Sequence, residues 1–350
     1  MSTDIDVDLG FALHLTTHPD GPLTSRHLAL VALRPERLKP GAVLVRNLYF
    51  AIDPVPSEAT TRRWHVHTAV PAGGLIGRVI ASRSAGLPCG TLIAHHGGWA
   101  THSVLAPGAQ RSRIVSPLTG VPASAHLSLL GPSGLRACAV LVKALSLLPG
   151  ESLYIGGAAD SVGSTAAQLA RRLGAAFVVG GVESREEAGV AGANPAFDIV
   201  LEHGAARADV PADAPASHGL TGRLDSAMTV TGRRGLAAAW ELVRESGRVA
   251  CLGEGSYDWG RPVTDSPMAS SLMTSSLMAP EKNVRVAEVG PIYQLHRHEQ
   301  FRTWMADQLV TGQLGPGRSA DLTFPELADE LVETARRGFR SVDVYCLPGG

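Results

Sequence analysis

The chain has 350 residues, 45% hydrophobic and 18% charged, with a formal net charge of -1, which is enough for two domains with a large core. The near-neutral balance and the lack of a basic run leave no electrostatic footprint for nucleic acid or an anionic membrane surface, and no apolar run approaches the ~18 residues of a spanning helix. Cys89, Cys138, Cys251 and Cys346 lie far apart without C-x-x-C spacing, and the acidic opening MSTDIDVDLG lacks an apolar core, so the expectation is a reduced, cytoplasmic protein with a small-molecule partner.

Residues 27 to 125 read as short alternating strands broken by Gly and Pro: HLALVAL, AVLVRNLYFA, GGLIGRVIAS, GTLIAHH and WATHSVLA. They predict an antiparallel β lobe over 1–124. From Ala125 the pattern turns helical through HLSLLGPSGLRACAVLVKALSLLPGESL. It then alternates: strand LYIGG, a helix to Leu173, strands AFVVGGV and FDIVLEHG, the helix RRGLAAAWELVRESG, and strand RVACLGE. Strands alternating with helices predict an α/β domain with a doubly wound parallel sheet over 125–292. Ala205 to Ser226, rich in Ala, Pro, Asp and Gly, reads as an exposed loop. A Ser/Met-rich stretch (MASSLMTSSLM) and the strand NVRVAEV follow. The segment 293–350, with helices around HEQFRTWMADQLVTGQL and FPELADELVETARRG and a closing strand SVDVYCL, is expected to return to the first lobe.

The most informative stretch is Leu153 to Ala175, LYIGGAADSVGSTAAQLARRLGA. It has the form of the first strand, glycine turn and first helix of a dinucleotide-binding fold, in which a pyrophosphate rests on amides at the helix N-terminus. Gly157, Asp160 and Gly163 take the three spaced positions. Asp160 therefore stands where the middle glycine would let the backbone approach the pyrophosphate. As an N-cap bonded to Val162 or Gly163 it would still fill the anion site with a carboxylate. His65 and His67, two apart on a segment read as extended, would face one side and could serve as acid or base. A pair of surface histidines fits the spacing equally well. His95 and His96 are read as structural, and Asp53 as ordering the turn into Pro54.

Several blocks resemble the medium-chain dehydrogenase/reductase superfamily, specifically its zinc-free double-bond reductases of the leukotriene B4 dehydrogenase and prostaglandin reductase type. They are VRNLYFAIDP at 45–54, VPAGGLIGRVIASR at 70–83, HGGWATHSVL at 96–105, LLGPSGLRACAVL at 129–141, LLPGESLYI at 147–155 and CLGEGSYD at 251–258. The resemblance implies a GroES-like substrate lobe, a Rossmann domain, a site in the cleft between the lobes, no metal, and hydride addition from NADPH to an enone. It also implies a homodimer pairing through sheet edges, for which NVRVAEV is the candidate, and a role for Tyr257 as hydrogen-bond donor to the substrate oxygen. Val55 replaces a further active-site tyrosine of that family.

The cofactor positions match least. Besides Asp160, Arg136 replaces a threonine where the nicotinamide would lie, and could pair with Asp160 across the vacated pocket. Glu186 or Glu187 stands where a lysine would hold the 2'-phosphate, and Gly338-Phe339-Arg340-Ser341 replaces an Asn-x-Gly-Lys contact. Ser184 and Arg185 are the remaining residues able to take a 2'-phosphate. Only the 14 residues Glu183 to Ala196 separate AFVVGGV from FDIVLEHG. That is room for one short helix, so the third strand, an edge strand, is expected to be missing. The principal expectation is thus a cofactor-free enzyme on a reductase scaffold, enolising, isomerising, dehydrating or cyclising an unsaturated carbonyl compound. Tyr257, His67, Asp160 and Arg136 are its candidate catalytic residues. The alternative is an NADPH-dependent double-bond or quinone reductase, with Gly157, Gly163, Ser184 and Arg185 toward the cofactor. The third is a binding protein. The Arg-rich, Lys-poor composition suggests GC-rich coding and, by analogy, bacterial secondary metabolism.

Overall fold

A computed structural model describes residues 10–33, 37–52, 57–106, 112–202, 220–230, 233–252, 273–279, 284–289, 299–338 and 342–348. It divides into two compact units, Met1–Leu127 with Pro316–Gly350, and Ser128–Gly315.

In the first unit a short ribbon pairs β1 (Phe11–Leu15) with β2 (Leu28–Ala32). The main sheet contains β3 (Val43–Ala51), β4 (Gly74–Ser82), β5 (Leu92–His95), β6 (His102–Leu105) and β7 (Arg113–Ile114), joined near the C-terminus by β15 (Ser319–Asp321) and β16 (Val344–Cys346). Its order is β15-β16-β3-β4-β5-β7, with β6 also on β3. Val43 and Val45 point inward in alternation, but Asn47 and the adjacent Leu48 are both buried, where the register with β4 shifts. The shift resets the inward set, so that Phe50 and not Tyr49 enters the core. There its ring packs at 5.8 Å from Trp99 and 5.9 Å from Phe324, the first residue of the helix Phe324–Arg337. Asn47 is satisfied on all sides. Its amide donates to the Ala100 carbonyl (2.8 Å) and Ser103 Oγ (2.9 Å), and its carbonyl oxygen lies 2.9 Å from His95 Nε2.

The second unit is built on β8 (Ser152–Gly156), β9 (Phe177–Val182), β10 (Ile199–Glu202), β11 (Leu224–Thr229), β12 (Val243–Leu252), β13 (Met273–Ala279) and β14 (Val284–Val289). The sheet order is β10-β9-β8-β11-β12-β14-β13. All neighbours are parallel except the final β14–β13 pair. Numbered along the chain, the six parallel strands have the doubly wound order 3-2-1-4-5-6.

Several expectations are corrected here. The third strand is not missing: FDIVLEHG supplies it as β10, on the edge beside β9. One eight-residue helix, Arg185–Gly192, is sufficient to carry the chain back across the face of the sheet. The fourth strand is β11, which begins in the stretch read as loop. Its Leu224, Ser226, Ala227 and Met228 are buried, but Asp225, Ser226 and Thr229 conceal the apolar run that a buried strand ordinarily shows. Finally, NVRVAEV is an interior strand, because the Ser/Met-rich segment contributes β13 outside it. The outer edge of this sheet is therefore Met273–Ala279. The helix Arg233–Leu242 also ends earlier than its sequence pattern implies, with β12 starting at Val243.

Candidate dinucleotide-binding site

Strand β8 ends at Gly156 and the chain turns at Gly157, whose φ of 77° is a left-handed value that glycine adopts freely. The Gly157 and Ala158 amides both donate to the Gly181 carbonyl of β9 (2.9 and 3.0 Å), pinning the turn against the neighbouring strand. The helix Ser161–Arg172 then begins so close to the turn that a Cβ on Gly163 would lie 2.2 Å from the Gly157 carbonyl oxygen. Gly157 thus allows the left-handed turn, and Gly163 the close approach of the helix to it. Asp160 is the N-cap: its side chain accepts from the Val162 amide at 2.8 Å. The local capping role is therefore the one adopted, and it puts a half-buried carboxylate at the helix N-terminus, where an anion would bind.

Two glycines in β9 that sequence reasoning passed over as ordinary strand residues shape the surroundings. A Cβ on Gly181 would lie 2.0 Å from the Tyr154 hydroxyl, and one on Gly180 would meet Ala158 and the Phe197 ring at about 3 Å. Their signal was the GG pair inside an apolar run, which marks close approach of a neighbour. Beyond β9 lie Glu183 and the helix Arg185–Gly192. Ser184 caps this helix, its Oγ accepting the Glu187 amide at 3.2 Å, while Glu187 Oε2 accepts the Glu183 amide at 3.1 Å. Burial, together with the negative charges of Glu183, Asp160 and Glu186, raises the Glu187 pKa above the usual carboxylate range, despite the opposing bond from the Glu183 amide. Ser184 is thus engaged in capping, and Arg185, in the first turn of the helix, is exposed.

Arg136 lies on the helix Pro132–Cys138, which packs on Ser161–Arg172, and it is buried. The Ser161 hydroxyl donates to Ser133 Oγ (2.9 Å), so the residue after Asp160 touches that helix one turn before Arg136. Arg136 and Asp160 thus sit on neighbouring helices of one unit. Burial pushes the Cys138 thiol up to about 12, which makes it a poor nucleophile.

His67 belongs to the first unit, and the extended segment expected around it is instead a turn. Its φ is 60°, its amide donates to the Leu15 carbonyl at 2.6 Å, and it is exposed. His95 is buried with its pKa lowered to about 4, by burial first and by His96 second, so it remains neutral. Tyr257, Asp53, Val55 and the Phe339-Arg340-Ser341 segment lie outside the described residues. Among the described residues no group of three or more His, Cys, Asp or Glu is placed to hold a metal ion, and no helix is long and apolar enough to cross a membrane.

The backbone of the turn fits a dinucleotide: a left-handed glycine, a helix start that tolerates no Cβ at Gly163, and parallel strands on either side of β8. Together with the first unit, whose sheet is antiparallel apart from the parallel β15–β16 pair, it defines a GroES-like plus Rossmann architecture. Residues 12–114 match the family model described as the N-terminal domain of oxidoreductase. Prostaglandin reductase 1 of Sus scrofa is 32% identical over 175 residues, covering 49% of this chain and 52% of that protein. The Oryctolagus cuniculus protein of the same name is 30% identical, covering 49% of each. The chain spans about half the length of the curated relatives it matches. The structure of CurA from Vibrio vulnificus in complex with NADPH superposes with a TM-score of 0.76 at 19% identity, over 97% of this chain and 100% of that one. The chain is thus similar to prostaglandin reductases over about half of its length and shares the fold of CurA.

Proposed function

We propose that this protein is an oxidoreductase that reduces the carbon–carbon double bond of an unsaturated carbonyl compound with hydride from a nicotinamide dinucleotide. The observation that carries the reading is the preserved backbone of the turn, Gly157 at φ 77° with Gly163 packed on its carbonyl. In a dinucleotide-binding fold the first glycine makes this tight turn and the third lets the helix pack close to it. The NADPH bound by CurA and the reductase names of the curated relatives also favour it over the cofactor-free expectation.

When bound, the dinucleotide supplies the hydride. The chain's own residues bind and move charge around it. The Gly157–Gly163 turn would hold the pyrophosphate, at a helix start where the Val162 amide is already bonded to Asp160. Tyr257 Oη would donate a hydrogen bond to the substrate carbonyl oxygen as negative charge develops there. Arg136 supplies a buried positive charge within the same unit as the turn. The quaternary reading is a homodimer joined through the outer strand Met273–Ala279, in a cytoplasmic setting.

The test uses reduced dinucleotide deuterated at the transferable position, with a panel of enals and enones. Deuterium at the β-carbon of the product supports the reading, and Tyr257→Phe should then lower kcat about a hundredfold with little change in KM. Turnover that survives complete removal of dinucleotide would overturn it in favour of the cofactor-free alternative, which Asp160 on the Val162 amide favours.

A further inference from the structure

We infer that the adenosine end of this site selects an unphosphorylated ribose, so that the protein takes NADH in preference to NADPH. The inference rests on the reductase reading above.

Glu183 is the first residue after β9, the strand paired in parallel with β8, which leads into the glycine turn. In a doubly wound dinucleotide fold the acidic residue at the end of the second strand hydrogen-bonds the adenosine ribose 2'-hydroxyl, and a 2'-phosphate needs a cation there instead. Here the surroundings deepen the negative field. Glu187 Oε2 is fixed 3.1 Å from the Glu183 backbone nitrogen, and the Ser184 cap orients the first turn that carries Glu186 and Glu187. Glu183 to Glu187 hold three carboxylates against the single guanidinium of Arg185. The helix N-terminus that could attract a phosphate is already bonded to Ser184 Oγ, with Glu187 at its third position. A 2'-phosphate would bring a further charge of about -1.5 to -2 into this group.

Asp160 acts differently. It lies at the pyrophosphate end, which NADH and NADPH share, so its main effect falls on both, although its charge also reaches Glu187. Glu183 and Glu187 act on the one group that distinguishes them. The ratio of the two affinities therefore isolates the inference from the question of whether any dinucleotide binds.

The experiment is calorimetric titration of the full chain, without substrate, by NADH and by NADPH separately. The expected result is an NADH dissociation constant at least about tenfold below that of NADPH at moderate salt. The Glu183→Ser/Glu187→Lys double variant should close or invert the ratio. Equal or tighter NADPH binding by the wild-type protein overturns the inference and leaves the reductase reading standing. Failure of both to bind at millimolar concentration overturns the two together. An unchanged ratio in a double variant that melts normally overturns the assignment to these two carboxylates.

Discussion

Asp160→Ala should move stability and dinucleotide affinity in opposite directions. The wild-type carboxylate accepts from the Val162 amide at 2.8 Å as the N-cap of Ser161–Arg172. Removing an Asp cap costs about 1 kcal/mol, against a total stability on the order of 5–15 kcal/mol. The melting temperature should fall by a few degrees while the protein stays folded. The same change removes a negative charge from the position a pyrophosphate would occupy. At the separation of neighbouring charged groups, and with Asp160 half exposed to solvent, that repulsion is on the order of 1–2 kcal/mol, or about tenfold in dissociation constant. The assay pairs urea unfolding with fluorescence titration by NADH at two salt concentrations. The gain should shrink at high salt, because an exposed charge pair is screened. A variant that is less stable but binds NADH no better would refute the reasoning, since the carboxylate would then lie away from the anion position.

Gly163→Ala should cost about 2 kcal/mol and abolish dinucleotide binding, because its Cβ would meet the Gly157 carbonyl oxygen at 2.2 Å; thermal unfolding with titration checks this. His95, held near pKa 4 in the folded state against 6.5 in the unfolded chain, binds fewer protons when folded. Its contribution is complete above pH 6.5 and is lost as pH falls toward 4, by about 3 kcal/mol in all, so the stability of His95→Gln, followed by urea unfolding across that window, should be flatter than wild type. Light scattering at micromolar concentration should give twice the 36.5 kDa chain mass if Met273–Ala279 pairs with its copy; a monomer would refute the dimer.

The local features were the legible ones. The glycine turn, the cap at Asp160 and the alternation of the first lobe are set by neighbours in sequence, through φ preferences, helix-terminus amides and the two-residue period of strands. The order of the sheet was not legible in the same way. FDIVLEHG has the same short apolar form whether it lies at the edge or beside β8, and the choice depends on hydrogen bonds to Val179–Val182, beyond the reach of local backbone preference. β11 and β13 were hidden for a related reason. Ser, Thr and Ala serve well in a strand when neighbouring strands satisfy its backbone, yet they carry little apolar signal.

By itself, the sequence determined the two-domain plan, the resemblance to double-bond reductases and the unusual carboxylate at the glycine turn. Tertiary structure decided which strand occupies the edge, and it placed His67 in a left-handed turn and His95 in a desolvated pocket against Asn47. It also brought Asp160 of the glycine turn close enough to act on Glu187 after β9, which joined two acidic segments of the sequence into one local field. The reason is range. Backbone preference and capping act over three or four residues, whereas strand order, desolvation and charge crowding depend on groups that only the folded chain brings within a few ångströms.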